Sequence, residues 1–419
     1  QSMNIIKHAF VTAVLFSVFA IAASAQPAAA QPKTEKLLNG LNVLMWPDSS
    51  AKNVEIRIRI NSGAAFDPQG KEGVMKLLAE NIFPNEAARD YFREDLSGKL
   101  DIRTTYDYIE IDASGRPDAF LQMLETLASA VANPVIDKEN TAKLKESLLA
   151  TLAKYEADPK YVADRAIAAR LFGTFPYGRP VFGSTNSVSR IMFPDLIDAK
   201  QRFLTADNAT VTVSGNFDRN LGFRAMRRFF GAWLKSDKHI PPTFKQPETP
   251  PSGLATVASP STDESALRFA VRGVARNSPD MAAAHVFAIV LAGRIRSRVP
   301  EKHANDVFVR SEERTLPGIF IIGFDIKRDA ASESNVNAAD VVSTALSGAV
   351  TDAEFAAARS NFAATWNKRE ATSCWLDADT YGISNVNADI AAADTVTLAQ
   401  VNAYAEKLRN LPMASVLVN

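Results

Sequence analysis

A chain of 419 residues, 47% apolar and 22% charged, is long enough for two domains with a sizeable core in each, and its balance is that of a soluble globular protein. Lysine plus arginine equals aspartate plus glutamate at 47 each, with no block of like charge, which argues against nucleic acid or an anionic lipid surface as partner and for protein, peptide or small molecule. A single cysteine, Cys374, excludes an intrachain disulfide and is read as a small buried residue.

Gln1 and Ser2 precede Met3 and are set apart from the fold. After Lys7 and His8 comes the apolar run Ala9 to Ala23, closed by Ala23-Ser24-Ala25, the small-x-small pattern that a signal peptidase reads. Residues 1–25 are expected to be an export signal, giving a periplasmic or secreted protein with no membrane contact after cleavage. The run is shorter than the roughly 20 residues of a spanning helix, and no cysteine follows for lipid attachment. Residues 26–36, opening in Ala, Pro and Gln, predict a flexible leader, with folded structure from about Leu37.

The first domain is expected over 37–238. "VEIRIRI" (Val54 to Ile60) alternates apolar and charged residues as a half-buried strand does, and "YIEIDASG" (Tyr108 to Gly115) repeats the pattern. Helical spacing follows over Pro117 to Pro134 and Lys138 to Pro159, each bounded by proline. "HIPPTFKQPETPPSG" (His239 to Gly253) holds five prolines in fifteen residues, which rules out a continuous helix or central strand and marks the linker, 239–253. The second domain, 254–419, repeats the plan: strands "ALRFAVRGV" (Ala266 to Val274) and "GIFIIGFDI" (Gly318 to Ile326), then helix formers around Ala353 to Ser360. Each half closes with a helix and a strand. Pro194 to Val213 lies at a constant offset of 205 from Ala399 to Val418, so that Leu196 meets Val401, Phe203 meets Leu408 and Val211 meets Val416. The fold class is α+β: two homologous α/β-sandwich domains, each a mixed or antiparallel sheet with helices mainly on one face, joined by the Pro-rich linker.

These landmarks converge. "LLNGLNVLMWPD" (Leu37 to Asp48), "NSGAAFDPQGKEG" (Asn61 to Gly73) with the helix after it, "FGTFPYGRPVFGS" (Phe172 to Ser184), "NATVTVSGNFD" (Asn208 to Asp218) and "VLAGRIRSRV" (Val290 to Val299) together resemble the pitrilysin/insulinase family. The closest look is to its two-domain branch, which includes mitochondrial processing peptidase and bacterial zinc-protease subunits. The resemblance implies a zinc hydrolase. Active members carry H-x-x-E-H on the helix after the first strand, two imidazoles on one helical face and a glutamate that activates the zinc-bound water, with a further glutamate ligand from a later helix.

Laid on this sequence, with Gly73 matched to the glycine before the motif, the first histidine falls on Lys76, the base on Ala79, the second histidine on Glu80 and the third ligand on Thr151. All four are changed. A protonated lysine offers no lone pair, alanine holds no base, and threonine is a poor zinc ligand. Beyond the signal only His239, His285 and His303 remain, none near a partner at ligand spacing. The expectation is therefore no catalytic residue, no metal and no cofactor. Lys76 and Glu80, one turn apart, either pair or both face solvent. A surviving carboxylate site from Glu80, Glu156 or Asp158 is the competing idea, better suited to Mg or Ca than to Zn.

Silent subunits of this branch sit beside an active homologue and supply an Arg and a Tyr, seven residues apart, to hold an extended peptide. Those positions fall near Pro300 and Val307 here, so that clamp does not carry over. Arg294, Arg296 and Arg298 are the remaining candidates for gripping peptide, against the plainer reading of a solvated face. "GIFIIGFDI" either accepts a peptide by strand addition or is an interior core strand. His285 on an apolar helix, and Trp233, Trp366 and Trp375, read as core or interface residues. The function expected is an exported, catalytically inactive peptidase homologue that pairs with a zinc-bearing homologue, a heterodimer enclosing a peptide chamber. The alternatives are a stand-alone binding or scaffold protein on the same fold, and an active metallohydrolase with altered ligands.

Overall fold

A computed structural model describes residues 31–236, 240–241, 243–261, 263–327 and 338–419. The expected export signal, residues 26–30 of the expected leader, and His239 and Pro242 of the linker lie outside the described residues.

The first sheet holds β1 (Lys33–Lys36), β2 (Asn42–Pro47), β3 (Val54–Ile60), β4 (Lys99–Thr104), β5 (Ile109–Gly115) and β6 (Ala209–Gly215), in the order β1-β2-β6-β3-β5-β4. All its pairings are antiparallel except β2 with β6. The second holds β7 (Leu254–Val257), β8 (Glu264–Arg272), β9 (Val307–Glu312), β10 (Ile319–Lys327) and β11 (Ala414–Val418), in the order β7-β11-β8-β10-β9, with β7 and β11 parallel. The five-strand order of the second repeats β2-β6-β3-β5-β4 of the first. Among the described residues the first strand begins at Lys33, four residues before the expected onset of folded structure. Lys33 to Lys36 carries no apolar alternation, because β1 is an edge strand held by backbone pairing to β2.

The helices of the first half are α1 (Val74–Glu80), α2 (Glu86–Glu94), α3 (Phe120–Ala132), α4 (Lys138–Glu156), α5 (Pro159–Phe172), α6 (Thr185–Ser189), α7 (Phe193–Phe203) and α8 (Arg219–Phe230). Those of the second are α9 (Met281–Arg296), α10 (Ala338–Leu346), α11 (Asp352–Trp366), α12 (Ala371–Tyr381), α13 (Val386–Ile390), α14 (Ala392–Thr395) and α15 (Leu398–Arg409). The offset of 205 places α7 with β6 against α15 with β11, and Leu196, Phe203, Val211, Val401, Leu408 and Val416 are all buried. Asp137 caps α4 and Asp158 caps α5, whose first residue is Pro159, so the chain turns sharply between them without losing a needed N–H.

That turn has a consequence for layering. Helix α5 leaves its own half and packs on β8 and β11 of the second sheet, while α12 packs on β6 of the first. Each sheet therefore has its own helices on one face and a helix of the other half on the opposite face, where the sequence predicted helices mainly on one. Strand β10 shows why its apolar run is unbroken. Phe320, Ile322 and Phe324 enter the core of the second half, and Ile319 and Ile321 meet Ala163, Ile167 and Leu171 of α5. Burial of each large apolar side chain in that seam contributes roughly 1.5–3 kcal/mol. The first sheet solves the same problem with charge. On β3, Ile56, Ile58 and Ile60 fill the core, and the alternate Arg57 and Arg59 lie under α12, Arg59 only 1% exposed. The charged face of "VEIRIRI" is thus an interface with the other half.

Candidate functional site

Helix α1 is entered through Gly73, whose φ of +107° suits glycine and where a Cβ would come within 2.9 Å of the Phe182 carbonyl oxygen. The first N–H groups of the helix are satisfied by a buried side chain. Gly73 and Met75 donate to the two carboxylate oxygens of Asp67 at 2.8 and 2.7 Å. Asp67 is fully enclosed, and burial pushes its carboxyl up to about 7, against those two donors and Arg179, which favour the charged form. Arg179 of the "FPYGRPVFG" segment donates to the Asp67 carbonyl oxygen at 2.8 Å and so ties this segment to the helix start.

The four positions of the lost motif are not gathered into a ligand set. The Lys76 ammonium pairs with Glu80 one turn on, each side chain about one-fifth exposed, so the ion pair holds and the solvent-facing alternative does not. Phe182 lies 5.4 Å from that ammonium, and Arg89 of α2 reaches Glu80 at 3.5 Å, leaving the carboxylate between two cations. Ala79 is buried in the core beneath them. The Thr151 hydroxyl on α4 donates to the Ser147 carbonyl oxygen of its own helix at 3.0 Å. The link between α1 and α4 is made elsewhere, by Thr141 donating to Asn81 at 3.1 Å. Glu156 accepts from Thr185 and pairs with Arg165, and Asp158 caps α5, so neither faces Glu80 as a metal partner. Among the described residues no three His, Cys, Asp or Glu side chains are grouped to hold a metal ion. The residues present do not fit a catalytic zinc, because a cation, Lys76, stands at one imidazole position and the Glu80 carboxylate at the other is engaged by Lys76 and Arg89.

From Phe182 the surface runs into a cleft of about 440 Å³ between the halves. Thr104, Tyr106, Tyr177 and Phe182 line it from the first half, and Arg310 and Arg314 from the second. Tyr177 donates its hydroxyl to Asp107 at 3.2 Å and accepts from the Leu316 N–H at 3.1 Å, and the Arg314 guanidinium lies 4.1 Å over the Tyr106 ring. Burial pushes the Asp107 carboxyl up, while Arg314 and the Thr315 N–H pull it down. The cleft is bordered by β4 and β9, the terminal strands of their sheets. Strand β10, weighed above for strand addition, is hydrogen-bonded on both sides and has no free edge.

The arginine candidates separate. All five N–H groups of Arg294 are engaged within the second half, two by Glu354 at 2.6 and 2.8 Å and three by the carbonyls of Ala345, Ser347 and Ala349. Among the described residues Arg296 donates once, to Val307, and Arg298 reaches back to the Arg294 carbonyl; both are exposed beside a groove of about 670 Å³. His285 is bonded to Glu313 at 2.9 Å and stacked on Phe362, a satisfied histidine at the edge of the core. Trp233 is buried and donates to Leu204, Trp366 lies under Arg276 and Arg369, and Cys374 is buried. What the sequence left out is the second layer of contacts: Asp67, Phe182, Arg89 and the Asp107–Tyr177 pair. "FDPQGKEG" and "FPYGRPVFG" flagged the segments, but nothing in either string says that they meet.

Residues 42–185 match the description Insulinase (Peptidase family M16), and residues 190–362 match Peptidase M16 inactive domain. The chain is 24% identical over 263 residues to a mitochondrial cytochrome b-c1 complex reductase subunit of Candida albicans, covering 62% of this chain and 56% of that one. It is 24% identical over 286 residues to an uncharacterized zinc protease of Mycobacterium bovis (66% and 64% covered), and 21% identical over 270 residues to the non-peptidase homolog YmxG of Helicobacter pylori (61% of each). The chain thus matches roughly half to two thirds of the length of these relatives. Among solved structures, a peptidase M16 inactive domain from Pseudomonas fluorescens superposes with a TM-score of 0.82 at 20% identity, covering 93% of this chain and 98% of that one, a likeness of fold. Two consecutive domain matches, on two sheets of the same strand order, make this chain a member of the insulinase family, peptidase family M16.

Proposed function

We propose that this chain is an exported, catalytically silent member of the family that pairs with a zinc-bearing homologue and forms one wall of the chamber in which that homologue's peptide substrate is held. The observation that carries this reading is the Lys76–Glu80 ion pair on α1, with Ala79 beneath it: a cation fixed where a ligand should be, and no side chain at position 79 to take a proton from water. The fold around the lost centre is kept in full, from Asp67 at the start of α1 to the Asn81–Thr141 bond at its end, as a subunit needs if its surface still has to match a partner. The cleft beside Phe182, bordered by two terminal strands, supplies backbone groups for an extended peptide and aromatic rings for its side chains. Among the described residues Arg296 and Arg298 keep N–H groups without an acceptor, which would serve peptide carbonyls or carboxylates, a role that Arg294, with every donor engaged, does not share.

The test is metal content and peptide cleavage by the purified mature chain, alone and mixed with a zinc-bearing homologue from the same genome. No zinc and no cleavage alone, with a stable hetero-oligomer and altered cleavage in the mixture, is expected. Stoichiometric zinc and turnover by the lone chain would overturn the reading. A second reading, a stand-alone scaffold, is favoured by the similarity to a respiratory-complex subunit; a monomer or homodimer indifferent to the homologue would support it instead.

A further inference from the structure

The even charge balance of the whole chain conceals a local imbalance. Helix α8 carries Arg219, Arg224, Arg227 and Arg228 and no acidic residue, and all four guanidinium groups are on its exposed face. Arg227 is bonded to Glu35 of β1 at 2.6 Å. Arg219 and Arg228 lie over the rings of Phe223 and Phe229, and among the described residues neither Arg224 nor Arg228 forms an ion pair.

The end of this helix is joined to a second turn. Asn39 donates its side-chain amide to the carbonyls of Phe230 and Trp233 at 2.8 and 2.9 Å, which clamps the turn at Leu37 to Gly40 against the turn that ends α8. From these two clamped turns project Leu38, wholly exposed, and Leu234, 77% exposed, with Lys235 beside it. A fully exposed leucine is ordinary alone. Two on neighbouring turn tips, beside two arginines that among the described residues have no ion-pair partner, form a different surface: apolar points with cations at one side, the nearby acids being Glu35, held by Arg227, and Asp207, which accepts from the Ser236 N–H.

We propose that this corner, the α8 arginines with Leu38 and Leu234, docks the folded protein on an anionic phospholipid surface. The arginines supply attraction to lipid phosphates and the two leucines enter the boundary between headgroups and acyl chains. No described helix is long and apolar enough to cross a membrane, so the contact is peripheral. It is independent of the peptide site, which lies on α1 and the cleft, and it revises the inference from overall charge, which averages over faces that the fold separates.

The experiment is flotation of the full mature chain with phosphatidylcholine vesicles, with and without phosphatidylglycerol. Binding is expected only with the anionic lipid and is expected to fall as salt rises, because exposed charges are screened. R224Q/R228Q should weaken it by about 25-fold, at about fivefold for each arginine near the surface, and L38S/L234S should weaken it at low salt as well. All four positions are exposed, so far-ultraviolet circular dichroism should be unchanged. R93Q, on the exposed face of α2, is the control and should bind as wild type. Equal binding to both vesicle types, no binding to either, or a loss in R93Q as large as in R224Q/R228Q would overturn the proposal. Capture by polyglutamate with no vesicle binding would assign the face to an acidic protein and overturn it too.

Discussion

The Arg59 guanidinium, on the central strand of the first sheet, lies 2.9 Å from Asp377 on α12 of the second half. The exchange is mutual: Arg268, on β8 of the second sheet, lies 2.5 Å from Asp164 on α5 of the first half. Both arginines are 1% exposed, each keeps a carboxylate of its own sheet, Glu110 or Asp325, and each stacks on a ring, Tyr108 or Phe308. The two halves are therefore cross-braced by one device used twice. On the first side the brace continues, since Asp377 also meets Arg276 and Arg369, which share Asp389.

Removing one acid from each brace should give unequal losses. Asp377 is 21% exposed and serves three guanidinium groups, whereas Asp164 is 41% exposed. Asp377→Ala leaves Arg59 buried with only Glu110, a partial break of a buried network, and should cost about 2–3 kcal/mol of unfolding free energy. Asp164→Ala should cost about 1 kcal/mol or less, the range of solvent-screened pairs. Urea unfolding of the two variants checks the order, and equal losses would mean that the extended network on the Asp377 side adds nothing.

Replacing Tyr177 by Phe removes the hydroxyl that joins Asp107 of the first half to the Leu316 N–H of the second. The ring, packed on Phe172, Phe175 and Tyr106, is kept, so the loss isolates the polar contact. An N–H left without its acceptor at the interface should cost about 1–3 kcal/mol. Unfolding free energies of wild type and variant are the measurement, and a loss below about 0.5 kcal/mol would mean that water replaces the hydroxyl.

Asp67 gives a pH dependence with a defined sign. Its carboxyl is raised in the folded state to about 7, so the folded chain binds a proton more tightly than the unfolded one. The stability this adds is fully present below about pH 4 and is lost as pH rises through 7. Measured against Asp67→Asn, which does not titrate, wild-type stability should therefore fall between pH 5 and pH 8, by an amount of the order of a few kcal/mol. A difference that is flat across that window would show that the two backbone donors and Arg179 outweigh burial and hold the carboxylate charged.

Much of this was legible in the sequence, and the part that was not has a physical reason. The duplication could be read because Leu196, Phe203 and Val211 repeat as Val401, Leu408 and Val416, and core positions in a helix and a strand have fixed periods. The exchange of α5 and α12 could not be read, because periodicity reports that a face is covered and not which segment covers it. Arg57 and Arg59 therefore looked like a solvent face, although the unbroken run at Ile319 to Phe324 carried the matching clue that its sheet is covered twice. That the four motif positions hold Lys76, Ala79, Glu80 and Thr151 was legible residue by residue. That the vacated space would be closed by Arg89 and Phe182 depends on contacts between distant segments. Arg294 shows the same limit, since its five acceptors lie more than fifty residues along the chain.

The mapping of the lost centre can be tested by restoring it. K76H/A79E/E80H rebuilds two imidazoles one turn apart on α1 with a glutamate between them, and T151E adds a carboxylate from α4. The scaffold needed is in place: Asp67 holds the helix start, and Thr141 with Asn81 fixes α4 beside α1. The cost is a glutamate at position 79, where alanine is fully buried, so the quadruple variant without metal should be less stable than wild type by about 3 kcal/mol or more. Zinc should return most of that, because binding to the folded state alone stabilises it by mass action. The expected outcome is one zinc per chain in the quadruple variant by elemental analysis, with a melting temperature that rises on adding zinc, and neither in wild type. K76H/E80H alone should bind more weakly, having two ligands where three are wanted. A quadruple variant that is folded and takes up no zinc would show that the register anchored on Gly73, or the position assigned to Thr151, is wrong. Zinc uptake by wild type equal to that of the variant would place the metal elsewhere and remove the ground for calling the chain silent.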